Sequence, residues 1–272
     1  MDKRALILFC LVTSAPAHAG AFDWVCRRLS RLVPGVNPIR DLATEAARLK
    51  EEIARNRQFA EGAGERGEID MSVYDKAIGK ATHDEAMLVA GMALRGEIDL
   101  QVYEQAMDLQ SVDHVDAFMA ATASLSGKLD KAAYFAALEK QDAENALAVG
   151  LGVKGGSVDK EIYFQATVEH GQDHDDALSA AQAVVTKTAD GRIYLLALKN
   201  VDHGEAFIIA QAHSAGTADG DFYLSVYSHV DHTDALIAAT AVKAGTIDGP
   251  KYLQLVAVRK LDHEDAVAGA AK

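Results

Sequence analysis

Cysteine is nearly absent from this 272-residue chain, which holds only Cys10 and Cys26. Residues 1–19 read as an export signal: Lys3 and Arg4, an apolar run over residues 5–12, then Ala17, His18 and Ala19 before Gly20. Cleavage after Ala19 removes Cys10, so the exported chain keeps Cys26 alone and cannot close a disulfide within itself. A lone cysteine in an oxidising compartment points to a bridge between two chains or to a free thiol. Leu8 and Phe9 before Cys10, and Trp24 and Val25 before Cys26, give no lipid-attachment signal. Long apolar runs are missing too, since no stretch approaches the roughly 20 residues that a membrane-spanning helix needs. These absences predict a soluble exported protein, periplasmic or secreted.

Basic charge is also short. The 27 Lys and Arg stand against 40 Asp and Glu, for a formal charge of −13. Residues 1–19 carry +1 and residues 20–66 carry +2, which leaves −16 on residues 67–272. Such a surface cannot neutralise phosphates and release their counterions, so nucleic acid is excluded as a partner. Basic proteins and cationic peptides are electrostatically admissible. Motifs of phosphate, dinucleotide and zinc-hydrolase chemistry are absent: there is no P-loop, no glycine fingerprint after a strand and no HExxH. No cofactor and no metal site is expected.

What the chain does have is repetition. DHTDA at residues 231–235 returns as DHVDA from Asp113, DHDDA from Asp173, DHGEA from Asp202 and DHEDA from Asp262, with THDEA from Thr82 and DAENA from Asp142 as weaker copies. Tyr74, Tyr103, Tyr134, Tyr163, Tyr194, Tyr223 and Tyr252 set a register of 29 or 31 residues. Four residues before each tyrosine is an aspartate (Asp70, Asp99, Asp130, Asp159, Asp190, Asp219, Asp248), and just before that an apolar residue. This spacing predicts an N-capped first helix, with the tyrosine at N4 stapled to the apolar residue at N′. The second helix starts at the repeated motif, capped by Thr82, Asp113, Asp142, Asp173, Asp202, Asp231 or Asp262. Three residues further on, an acid or asparagine is placed to close a capping box.

The second helix should run about thirteen residues to a glycine at C′ (Gly96, Gly127, Gly156, Gly216, Gly245). Lys187 takes that place once, which predicts an irregular junction there. Alanine always follows the box, and a small residue stands four further on, giving each second helix a flat stripe for close packing. From second cap to next first cap is always 17 residues, while first cap to second cap is 12 in four copies and 14 in three. Length variation is thus confined to one kind of turn, near Gln110, Gly171 and Lys260.

Six of the seven motifs put histidine directly after the cap: His83, His114, His174, His203, His232 and His263, with Ala143 in the remaining copy. Layers about 10 Å apart hold successive histidines too far from each other to share a zinc ion bound at about 2 Å. The expected role is structural, a neutral imidazole hydrogen-bonding to the adjacent repeat. Ligand binding along the ladder and a pH response near neutrality are the sharper possibilities. Asp202 and His203 match two members of a hydrolytic triad, but the pair recurs in five copies with no consistent serine or cysteine.

Ahead of the repeats, residues 22–33 form a basic amphipathic stretch (Trp24, Val25, Leu29, Leu32 and Val33 against Arg27, Arg28 and Arg31) ended by Pro34 and Gly35. Ile39, Leu42, Ala46, Leu49 and Ile53 then alternate three and four apart, a coiled-coil seam of two heptads with Asn56 next on it. This helix should cap the repeats or support a weak homodimer, alone or with Cys26. Residues 61–66, with Gly62 and Gly64, read as a linker.

The sequence predicts an all-α protein: a signal over residues 1–19, an N-terminal helical cap and linker over 20–66, and a right-handed α-solenoid of seven helical hairpins over 67–272. Its expected role is an exported acidic scaffold for protein partners, not an enzyme. A hydrolase or metal-dependent enzyme with a groove site, or a self-assembling structural protein, are the alternatives.

Overall fold

The computed structural model describes residues 38–272, with side chains described from residue 47. The export signal, Cys26 and the basic stretch 22–33 lie outside the described residues. Within them all regular structure is helical, fifteen α-helices and one π-helical turn with no strand. In chain order these are α1 (Pro38–Glu65), α2 (Met71–Ala77), α3 (His83–Leu94), α4 (Leu100–Asp108), α5 (His114–Leu125), α6 (Lys131–Leu138), α7 (Ala143–Gly155), α8 (Lys160–Phe164), α9 (His174–Val185), α10 (Gly191–Ala197), α11 (His203–Ser214), α12 (Gly220–Val226), α13 (His232–Lys243), α14 (Gly249–Ala257) and α15 (His263–Ala270). The π turn, Gln165–Glu169, follows α8. The chain divides into two compact units after Gly96.

In the first unit, α2 packs on α3 and the end of α1 packs on α2. The residues expected to be a linker are helical instead: α1 runs through Gly62 and Gly64 to Glu65. Packing outweighs the roughly 1 kcal/mol helix penalty of glycine, because a Cβ on Gly64 would stand 2.5 Å from Met71 Cγ. Ala60 and Ala63 are buried one turn away. Arg57 reaches from α1 to both Asp75 on α2 and Glu61.

The second unit repeats one local solution. α4 packs on α5, α6 on α7, α8 on α9, α10 on α11, α12 on α13 and α14 on α15. Each first helix opens on an aspartate whose carboxylate accepts a backbone N–H of the first turn, as Asp130 does from Ala133 and Asp190 from Ile193. The same aspartate's own N–H is left outside the helix, and it donates to the small residue of the paired second helix. Asp130 N donates to Gly150 O at 3.0 Å, Asp190 N to Ala210 O at 3.1 Å and Asp248 N to Ala270 O at 2.9 Å. The small stripe therefore lets a capped helix end approach close enough for a main-chain bond.

Neighbouring pairs fit at the N-terminal residue of each first helix. A Cβ on Gly191 would stand 2.6 Å from Ile162 Cδ1, one on Gly220 2.9 Å from Ile193 Cδ1, and one on Gly249 3.0 Å from Phe222 Cε2. Where the preceding helix offers the smaller Val102 or Ala133 at the equivalent place, a lysine stands there and pairs with the preceding cap. Lys131 Nζ is 2.5 Å from Asp99 and Lys160 Nζ 3.6 Å from Asp130.

Lys187 does not make an irregular junction. It adopts φ +59°, the left-handed turn that Gly127, Gly156, Gly216 and Gly245 adopt at φ +69° to +74°. Its N–H bonds Val184 O like the others, so the hydrogen-bonding need of the helix end overrides the steric preference of lysine. Irregularity falls in the longer turns instead. There the first helix is extended to nine residues in α4 and α14, or widens into the π turn after α8, with Gly171 at φ +67° and Lys260 at φ +61°.

Candidate functional site: a histidine and tyrosine row

Six copies of one side-chain pair mark the starts of the second helices. Tyr74 Oη lies 3.0 Å from His83 Nδ1 in the first unit. In the second, Tyr103 is 3.0 Å from His114, Tyr163 3.0 Å from His174, Tyr194 2.9 Å from His203, Tyr223 2.7 Å from His232 and Tyr252 2.8 Å from His263, always through Nδ1. The rings meet edge to face. All these tyrosines are buried; His114 and His174 are buried with them. The longer turns leave the pair unchanged, because tyrosine and histidine are fixed by the N-terminal ends of the two helices and extra residues bulge between them.

The sequence placed these imidazoles in hydrogen bonds to the adjacent repeat and the tyrosines in staples alone. The bond is instead made inside the repeat, to the tyrosine, and the adjacent repeat supplies charge. His203 Nε2 is 3.5 Å from Asp176, His232 Nδ1 3.9 Å from Glu205 and His263 Nδ1 3.9 Å from Asp234. These acids are the N3 residues expected to reach back and close capping boxes. The reciprocal box is formed at Thr82 and Glu85. With an aspartate cap, a reciprocal box would set two carboxylates of like charge side by side, and here Asp176, Glu205 and Asp234 stand beside the next histidine.

The caps themselves are geometrically uniform. Asp113, Asp202, Asp231 and Asp262 each accept from the N3 backbone N–H at 2.9 Å. Asp70 accepts from both the N–H and hydroxyl of Ser72, and Asp99 from Val102 N, Ser124 Oγ and Lys131. Burial alone would raise the Asp99 carboxyl, but the bonds from Lys131, Ser124 and Val102 outweigh it and hold it below its ordinary value.

Electrostatics keeps the buried phenols protonated. Burial pushes Tyr163 up to about 12. Tyr252 is pushed up to about 12 by burial and then by Asp234 and Asp231 of the preceding repeat. Tyr194 and Tyr223 are raised further, by burial first and then by Asp176 with Asp173 and by Glu205 with Asp202. Each of these phenols keeps its proton below those values, and the bond to Nδ1 runs with the tautomer of the imidazole. The other ring nitrogen of His203, Nε2, stands 3.5 Å from Asp176 of the preceding repeat, so Tyr194, His203 and Asp176 lie in series across two layers.

Repeat three shows what the histidine supplies. Ala143 replaces it, and the buried Tyr134 hydroxyl has no hydrogen-bond partner. Burial and then Asp116 push this phenol up to about 12.

Among the described residues no group of three or more His, Cys, Asp or Glu is placed to hold a metal ion. Nor is any described helix long and apolar enough to cross a membrane. One feature went unread in the sequence although its signal was there. Six residues after four of the seven second caps, Leu88, Met119, Ile208 and Ile237 stand about half exposed, at 55%, 49%, 49% and 50%, while the other three copies hold Ala148, Ser179 and Ala268 there. Ile237 helps line a groove of about 500 Å³ with Leu236, Thr240, Ala241, Ala244 and Thr246.

The fold and its row of pairs define an all-helical repeat protein. Comparison with known proteins adds no relative, as no family model, curated protein or solved structure matches the chain.

Proposed function

We propose that this chain is an exported scaffold that binds a basic, amphipathic protein partner, and that it has no enzymatic role. Its helix pairs would stack as a right-handed α-solenoid of seven hairpins, a count that rests on the sequence repeat. The observation that carries the binding role is the recurrence of an exposed apolar side chain at one register of the second helices. Met119, Ile208 and Ile237 hold that register in three of the second unit's six pairs, each about half exposed. The −16 charge of residues 67–272 supplies the complementary field for a basic partner. The histidines enter this reading as the rigid mount for those helices, since each is already engaged by a buried tyrosine.

The test is capture from the native exported fraction with wild type and with Met119→Asp, Ile208→Asp, Ile237→Asp combined. A basic protein retained by wild type and lost from the triple variant is the expected result. Recovery of wild type without any partner under mild conditions, or equal recovery with both chains, would overturn the scaffold reading. The N-terminus of the exported protein, read by mass spectrometry, should be Gly20.

A further inference from the structure

The sequence of helix α1 carries one continuous heptad stripe, which is buried at its C-terminal end and exposed at Ile53. Placing Ile39 at position a puts Leu42, Leu49, Asn56 and Ala63 at d, and Ala46, Ile53 and Ala60 at a. The last two stripe residues, Ala60 and Ala63, are buried at 0% and 1% exposure within the first unit. One to three turns upstream on the same stripe, Asn56 and Leu49 are only half-buried and Ile53 is 60% exposed. Lys50, Glu51, Glu52, Ala54 and Arg55 around them are exposed. An isoleucine so placed on a charged helix is the edge of an unmade contact.

We propose that a second copy of this chain makes that contact, the two α1 helices pairing in parallel along the a and d positions from Ile39 to Asn56. Charge selects both the occupant and its direction. The charged g positions are Glu45 and Glu52 and the charged e positions are Lys50 and Arg57, with Ala43 the remaining e position beside the seam. In a parallel pair each g residue meets the e residue five places on in the other copy, so Glu45 faces Lys50 and Glu52 faces Arg57, opposite signs at both contacts. An antiparallel pair sets g against g and e against e, so glutamates face glutamates and Lys50 or Arg57 faces its like. The self-complementary stripe also fits an isologous dimer better than a foreign partner.

Two heptads are marginal for peptides that must fold as they associate. Here the helix is already held at its C-terminal end by Ala60, Ala63 and the Arg57 bonds to Asp75 and Glu61. The ordering cost of forming it is met before association, which favours a short seam. This inference does not depend on the scaffold reading, since it needs no other protein.

Sedimentation equilibrium on the purified protein carrying Cys26→Ser tests it without disulfides. A reversible monomer to dimer transition is expected as concentration rises. Ile53→Glu should move its midpoint at least tenfold higher, with an unchanged circular dichroism spectrum showing that the repeats remain folded. Glu45→Lys should weaken the dimer severalfold, and adding Lys50→Glu to it should restore wild-type association, because the swap re-creates the parallel contact. A monomer at all concentrations, or a dimer indifferent to Ile53→Glu, overturns the proposal. Association strengthened by Glu45→Lys overturns its parallel sense.

Discussion

Ala143 follows Tyr134 by nine residues, the interval that brings His203 within 2.9 Å of Tyr194, and the fully buried Tyr134 hydroxyl finds no partner there. A buried hydroxyl without a partner is destabilising by about 1–3 kcal/mol, whereas a made hydrogen bond contributes about 1 kcal/mol. Tyrosine to phenylalanine should therefore have opposite signs at equivalent positions. Tyr194→Phe removes the bond to His203 Nδ1 and should lower stability by about 1 kcal/mol, while Tyr134→Phe should be neutral or stabilising. Ala143→His should stabilise by about 1 kcal/mol, since Leu147 occupies the place of Leu178 and Leu236, beside which His174 and His232 fit. Urea unfolding midpoints of the three variants decide the matter. Equal losses in both phenylalanine variants would show that the imidazole contributes nothing.

Repeat three departs from its neighbours a second time. Gly150 is the one glycine on the small stripe, and Leu129 is the one leucine among the residues preceding the first caps. A Cβ on Gly150 would stand 2.6 Å from Leu129 Cδ1 and 3.0 Å from Tyr134 Cβ. Alanine gains up to about 1 kcal/mol of helix propensity there, but overpacking costs about 1–3 kcal/mol. Gly150→Ala should be destabilising by about 1 kcal/mol, and adding Leu129→Val, which copies the Val158 and Ala181 combination, should recover most of it. Thermal unfolding of single and double variants measures the coupling; additive losses would refute the steric account.

How far the fold was legible follows from where its information lies. Helix starts were readable because Asp130 or Asp231 acts on amides two or three residues away, and local spacing alone sets that geometry. The small stripe of Ala121 and Gly150 was readable as a packing face by its period, but its role as acceptor for Asp99 and Asp130 amides was not, since that bond joins separate helices. The tyrosine and histidine pair escaped for the same reason. Each half had a sufficient local explanation, a staple for Tyr194 and a helix position for His203, and only the turn between their helices brings them together. Ala143 was the available clue, being the one histidine-free copy, though its tyrosine is retained. Gly62 and Gly64 misled in the other direction, because propensity is weak against the close approach of Met71.

Two lysines hold backbone conformations that suit glycine. Lys187 at φ +59° and Lys260 at φ +61° stand in the left-handed region, which costs an L-residue roughly 1 kcal/mol relative to glycine. Lys187 contributes its carbonyl to Ser214 Oγ at 2.7 Å, a bond that any residue retains. Lys187→Gly and Lys260→Gly should each raise stability by about 0.5–1 kcal/mol, reduced by the greater freedom glycine gives the unfolded chain. Denaturant midpoints that rise for both support the strain; a fall at Lys187 would mean that its side chain has a contact of greater worth.

The buried phenols make stability fall at alkaline pH. Seven of the eight tyrosines belong to the row, and Tyr134, Tyr163 and Tyr252 are pushed up to about 12, with Tyr194 and Tyr223 higher. An unfolded tyrosine ionises near 10. Between these values the unfolded chain has lost the proton and the folded chain keeps it, so stability decreases with pH, by linkage. The contribution is fully present below about pH 10 and is lost as pH rises toward the folded values. Tyrosinate absorbance at 295 nm should therefore lag behind free tyrosine and then rise cooperatively, at the pH where helical ellipticity at 222 nm collapses. The two transitions should coincide because ionisation of the row requires opening the layers. A smooth tyrosinate titration near pH 10 with helix intact would show that the hydroxyls are reachable by solvent, and would remove the buried phenol as the partner that holds each imidazole in place.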